Sequence, residues 1–144
     1  MSVAGKVKEF IETCPFLKDF EDATFPVVNM NLLEEDPTMY SIEETPAEPI
    51  VKRFANGDTV RQYVFSLCSR ELYGQAENEK TAEFYEKFAD WLEECTENGQ
   101  LPLLTGRLQS KSIRATTNGY LYDNQSKNCQ YRIQCQFVYY YKRR

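Results

Sequence analysis

The 144-residue chain carries 17 Lys and Arg against 22 Asp and Glu, a net charge of −5, and no histidine. With 42% hydrophobic residues, ten Tyr and nine Phe it can fill a real core, which excludes a disordered chain. The missing histidine removes the usual neutral-pH general base, the usual partner of a nucleophilic Ser or Cys and the commonest metal ligand, so three large reaction classes are disfavoured together.

Val3, Val7, Phe10, Ile11 and Cys14 recur at helical spacing until Pro15 stops the pattern, which predicts a short amphipathic N-terminal helix. Phe25-Pro26-Val27-Val28 reads either as a short edge strand or as an extended packing segment. Strands follow at about Met39–Glu44, Ile50–Ala55 and Thr59–Leu72, with Pro46 and Pro49 breaking the first extended run. Asn56-Gly57 marks a hairpin, because a type I′ turn needs positive φ at both central residues.

Asn78 offers an N-cap to the strongest helix, in which Phe84, Phe88, Trp91, Leu92 and Cys95 form a stripe ending before Gly99. A further extended region carries Asn118-Gly119 and a polar turn near Asp123 to Asn128. The last run, Cys129 to Lys142, alternates strictly: Tyr131, Ile133, Cys135, Phe137, Tyr139 and Tyr141 share one face, and Gln130, Arg132, Gln134 and Gln136 the other. A strand of that length reaches about 40 Å, so it is expected to project past the core or to pair beyond its own hairpin. The sum is one α+β domain over residues 1–144: a single antiparallel sheet of about five strands with two helices on one face, in the order α-β-β-β-α-β-β.

No segment approaches the roughly 18 apolar residues of a membrane span, and the N-terminus lacks the apolar stretch of a secretory signal. The expected compartment is the cytoplasm. The five cysteines, at 14, 68, 95, 129 and 135, form an odd set without a C-x-x-C, which suits reduced, mostly buried thiols. Glu34-Glu35, Glu43-Glu44 and Glu93-Glu94 are adjacent pairs whose carboxylates diverge, no phosphate-cradling glycine loop is present, and Ser112 beside Lys111 lacks a supporting motif. No catalytic, cofactor-binding or metal-binding residue is assigned, and the chain is not read as an enzyme.

Charge is segregated along the sequence. Asp19 to Val51 holds nine acids and no Lys or Arg, a net −9, whereas Arg107 to Arg144 holds eight Lys or Arg and only Asp123, a net +7. Opposite patches suit a head-to-tail contact between copies. A basic, Tyr-rich hairpin also suits nucleic acid, and the acidic segment could instead lie over the basic one within a single chain. Glu34, Glu35, Asp36, Glu43 and Glu44, with Arg132, Lys142 and Arg143, are the candidate self-assembly residues.

The run "SIRATTNGYLYDNQSKNCQYRIQCQFVYYYKR" resembles a family of small minor capsid proteins of tailed phages and prophages of Gram-positive bacteria. The element order is similar to that of the tail-terminator proteins of long-tailed phages. The motif covers roughly the last third of the chain, the element order all of it. The resemblance implies a virion protein, assembled in the host cytoplasm, that forms a ring, usually a hexamer, on the tail tube and joins it to the head-completion protein. Its partners would be itself and those two neighbours, with DNA passing through the lumen, no membrane and no cofactor. The reading from another class is a small phage-encoded binding module, an inhibitor or a nucleic-acid-binding accessory.

Overall fold

The computed structural model describes residues 2–15, 28–30, 40–72, 75–123 and 128–143, and it is organised by one pair of long strands. The C-terminal strand β7 (Asn128–Tyr141) runs antiparallel to β4 (Thr59–Leu72) in unbroken register, from Thr59 opposite Tyr141 to Leu72 opposite Asn128. β7 therefore pairs beyond its own hairpin, as its length demands, but it does not project. It lies at the centre of the sheet.

Each long strand is flanked on its outer edge by a broken one. β2 (Tyr40–Glu44) and β3 (Ile50–Arg53) both run antiparallel to β4. Between them Pro46 and Pro49 interrupt the strand, since proline cannot donate to a ladder. The break is bridged: Thr45 N–H donates to the Val64 carbonyl at 3.0 Å, and Gln62 N–H to the Pro49 carbonyl at 2.9 Å. On the other side β5 (Leu108–Ala115) and β6 (Tyr120–Asp123) line β7, and the Thr116 amide and Thr117 hydroxyl carry the ladder to Gln134 across the gap. A three-residue strand β1 (Val28–Met30) adds to β2 in parallel.

Two helices, α1 (Val3–Ile11) and α2 (Gln75–Asn98), complete an α+β fold in the expected order, with β1 and β6 as short additions. α2 begins three residues before Asn78, and of Phe25–Val28 only Val28 falls among the described residues, as the first residue of β1. The hairpin at Asn56-Gly57 is present, but its loop is one residue longer than a type I′ turn. Phe54 N–H donates to the Asp58 carbonyl at 2.9 Å, Gly57 N–H to the Phe54 carbonyl at 3.0 Å, and Gly57 alone of that loop's residues is a positive-φ glycine, at 95°. That is the three-residue loop of a turn closed by one left-handed glycine. Asn56 is the second central residue of the turn Phe54–Gly57, not the first of a type I′ turn, and its side chain accepts from the Asp58 N–H at 3.0 Å.

Both helices pack on one face of the sheet. Val7 and Ile11 of α1 and Phe84, Tyr85, Phe88 and Leu92 of α2 are buried against Ile42, Phe65, Leu67, Ile113, Ile133 and Phe137. The registers place Ile42, Leu67 and Ile133 in one row and Ile113 beside Phe137 in another, so strand alternation delivers these side chains to the same side. Each fully buried side chain of this size contributes roughly 1.5–3 kcal/mol. Phe10 stacks on Trp91 at 5.1 Å and joins the helices to one another.

α2 ends at Gly99, φ 73°, where Gln100 N–H reaches back to the Cys95 carbonyl at 2.8 Å. Just before that cap, the Thr96 hydroxyl donates to the Ile113 carbonyl at 2.7 Å and accepts from the Ile113 N–H at 3.0 Å. One side chain thus occupies both backbone groups that an edge strand would offer to another chain.

Asn118-Gly119 lies in the gap between β5 and β6, and Gly119 is there for space: a Cβ would stand 2.6 Å from Tyr85 Cβ. Tyr85 cannot yield, since its hydroxyl shares a hydrogen bond with Ser69 at 2.7 Å and donates to the Tyr131 carbonyl at 3.2 Å. Gly119→Ala should therefore cost about 1–3 kcal/mol. Urea unfolding measures it, and an unchanged midpoint would contradict the packing described.

Candidate functional site

The sheet face away from the helices is polar. Gln62 Nε2 donates to the Glu48 carbonyl at 2.7 Å, Gln136 Nε2 donates to Gln62 Oε1 at 2.7 Å, and Arg114 Nε donates to Gln136 Oε1 at 3.1 Å. The amides form a chain of hydrogen bonds running across three strands. Further along the same face, Arg132 Nη2 meets Glu43 Oε2 at 2.6 Å, with side chains only 20% and 26% exposed. The buried Cys68 thiol donates to that carboxylate at 3.2 Å, and its titration is pushed up, first by burial and then by the Glu43 charge.

Two residues expected to meet across copies thus meet within one chain. β2 and β7 both flank β4, and Cys68 is opposite Ser41 on one side and Arg132 on the other, so Glu43 needs only a diagonal reach. Glu44 is exposed and accepts from the Tyr63 hydroxyl at 3.5 Å. Glu34, Glu35 and Asp36 lie outside the described residues.

Lys142 and Arg143 belong to a larger assembly. In the last rows of the sheet Arg53 stands at Thr59 opposite Tyr141, Lys52 at Val60 opposite Tyr140, and Arg61 opposite Tyr139. Arg107 immediately precedes Leu108, the partner of Tyr141, and Lys111 sits at the bulge of β5 between Ser110 and Ser112. Seven cations, Lys52, Arg53, Arg61, Arg107, Lys111, Lys142 and Arg143, therefore crowd one end of the sheet with Asp58 as the acid among them, a net +6. None of the seven forms an ion pair among the described residues.

Three of these cations lie over rings: Lys52 over Phe54 at 5.1 Å, Arg61 over Tyr141 at 4.4 Å and Lys111 over Tyr140 at 5.1 Å. Asp58 ties this end together. It accepts from the Tyr140 hydroxyl at 2.6 Å and the Arg143 amide at 3.0 Å, and those bonds hold its carboxyl below the ordinary carboxylate range. Arg107 Nη1 donates to the Arg143 carbonyl at 2.7 Å, so the end of the chain is clasped from both sides.

A surface of the opposite sign lies on α2. Glu83, Glu86, Asp90, Glu93, Glu94 and Glu97 are exposed, with Lys87 the cation among them, a net −5. Five of them, at 83, 86, 90, 93 and 97, alternate three- and four-residue steps, which places them in one line along the helix. The acidic line has the same helical spacing as the apolar stripe beside it and is visible in the sequence on that ground, whereas adjacency singles out only Glu93-Glu94 on this helix. Between this line and β5 runs an open groove of about 430 Å³, with Asp90, Glu93 and Glu97 on one wall and Ala89, Ile113 and Ala115 among its apolar lining. A second groove, of about 560 Å³, lies between α1 and the end of α2 around Phe10, Trp91 and Leu101.

Cys14, Cys68, Cys95 and Cys135 are buried, and burial raises the titration of Cys68, Cys95 and Cys135, so these last three thiols lack the character of nucleophiles. Among the described residues no three Cys, Asp or Glu converge on a metal site, and no helix is long and apolar enough to cross a membrane. Comparison with protein-family models and with curated proteins finds no match.

Two outcomes follow from this geometry. Arg132→Ala and Glu43→Ala should each cost about 1–3 kcal/mol, with a coupling of at least about 0.5 kcal/mol in a double-mutant cycle; additive losses would show that the pair is not a unit. Asp58 titrates below its unfolded value, so its contribution is present above the ordinary carboxylate range near pH 4 and is lost as pH falls through the lower folded value. Protection of the Arg143 amide, taken against its intrinsic exchange rate at each pH, should therefore fall in acid, and Asp58→Asn should abolish that dependence.

Proposed function

We propose that the protein is a structural component of a phage or prophage virion, a tail terminator that self-assembles into a ring capping the tail tube and joining it to the head connector. Two features support this reading. One is the resemblance carried by residues 112–143, which spans β6, β7 and half of β5. The other, which carries the proposal, is the basic end of the sheet: seven cations without an ion pair among the described residues, facing a net acidic chain. A charge of that density, without an ion pair among the described residues of a protein of net −5, is surface suited to an acidic contact, and a second copy supplies one. A contact between unlike patches is heterologous, and it closes into a ring when the rotation permits.

A nucleic-acid-binding accessory is the second reading, favoured by the interleaving of cations with Phe54, Tyr140 and Tyr141 at the same end. The two diverge in measurable ways. Sedimentation at low salt should show wild-type oligomers, and the triple variant Lys52→Glu, Lys142→Glu, Arg143→Glu should weaken association on the order of a hundredfold, at roughly 1 kcal/mol or more per site. Arg132 is left intact in this test because it serves the fold. Monomeric wild-type protein with a steep log–log salt dependence of single-stranded DNA affinity would sink the ring and favour the accessory.

A further inference from the structure

We infer that the surface receiving the basic end is the α2 face of a second copy, specifically the groove between the acidic line Glu86, Asp90, Glu93, Glu97 and strand β5. The inference rests on the self-assembly proposed above and names both halves of its contact.

Lys and Arg are amphipathic, with methylene stems that prefer apolar surface and heads that need water or an anion. The groove matches both parts. Asp90, Glu93 and Glu97 form an acidic wall, while the half-buried Ala89 and Ala115 provide apolar surface for the stems. Its volume of about 430 Å³ admits more than one such side chain. The line of acids continues past the groove to Glu86 and Glu83 along the exposed helix.

The basic end has a matching layout. Lys52 on β3 and Lys142 and Arg143 beyond β7 are exposed. Asp58 and Arg107 clasp the backbone of Arg143, and the ring of Phe54 lies under Lys52. A backbone anchored at Arg143 and a head seated on a ring at Lys52 leave less freedom to be lost on docking.

Arg114 is the one cation in the groove's lining, its Nε donates to Gln136, and the sheet-end cations of the same chain do not reach the groove. Thr96 holds α2 on Ile113, which fixes the helix beside the middle of β5, whereas the cations lie in the rows of Tyr139 to Tyr141 and beyond. The contact must therefore be made between copies. Because Thr96 already occupies the Ile113 backbone groups, the approach is to the groove by side chains and not by adding a strand at that position.

The test uses the whole chain in two charge-reversed forms. One carries Glu86→Lys, Asp90→Lys and Glu93→Lys on α2; the other carries Lys52→Glu, Lys142→Glu and Arg143→Glu at the sheet end. Each form alone puts like charges together and should associate at least about a hundredfold more weakly than wild type. Mixed in equal amounts, each offers what the other lacks, and association should return to within about tenfold of wild type.

Circular dichroism checks that both forms fold, and the neutral variant Glu86→Gln, Glu93→Gln replaces the helix-reversed form if it does not. The neutral variant should associate about tenfold more weakly than wild type. Wild-type protein that stays monomeric overturns the assembly reading itself. Oligomers of the helix-reversed form, or a mixture that fails to recover, overturn only the α2 contact. Loss of single-stranded DNA affinity in the sheet-end form, with association unchanged, assigns that surface to nucleic acid and overturns the contact as well.

Discussion

The pairing of β4 with β7 is the constraint from which the rest of the molecule follows. Two strands in unbroken register, Thr59 with Tyr141 through Leu72 with Asn128, make a ribbon about 45 Å long. Every other strand attaches directly or through β2 to that ribbon, and because its side chains alternate, one register sets the orientation of both faces at once. A slip of β7 by one residue would turn Ile133, Cys135 and Phe137 out toward the polar side and bring Gln134 and Gln136 under the helices. The burial of large apolar groups and the cost of burying amides without partners both oppose that slip.

The ribbon also explains why its flanking strands are broken. A strand beside a long, twisted neighbour must follow the same twist or leave it, and here the chain leaves on both sides. At Pro46 and Pro49 the missing N–H groups make the exit cheap, and at Asn118-Gly119 the exit makes room for Tyr85. Tyr85 in turn reaches Ser69 on one central strand and Tyr131 on the other, so the helix is pinned to both members of the ribbon. Thr96 pins its far end to β5. Between these anchors α2 is held in one position, and whatever its outer surface carries is held with it.

Much of this was legible in the sequence because periodicity is a local property. The alternation from Tyr131 to Tyr141 and the helical spacing of Phe84, Phe88 and Leu92 identify elements and inward faces without knowledge of their neighbours. Neighbours are what periodicity omits. That β7 would lie at the centre depends on β4 being as long, and that the Asn56 loop would hold three residues depends on Asp58 meeting Phe54 across it. Gly119 carries no local sign that Tyr85 needs its space. Thr96 resembles any polar residue near a helix end until β5 is placed beside it.

Charge shows the same limit in a sharper form. Counted along the chain, acids gather before residue 51 and cations after residue 107, and the two runs look like opposing surfaces. Folding redistributes them. Glu43 and Arg132 come from opposite runs and neutralise each other across β4, so part of the apparent separation is spent inside the fold. The sheet end gains Lys52, Arg53 and Arg61, and α2 contributes a line of acids, none of which belongs to either run. What decides whether a charge can serve a partner is not its place in the sequence but whether the fold has already given it one. By that criterion Lys142 and Arg143 remain available and Arg132 does not.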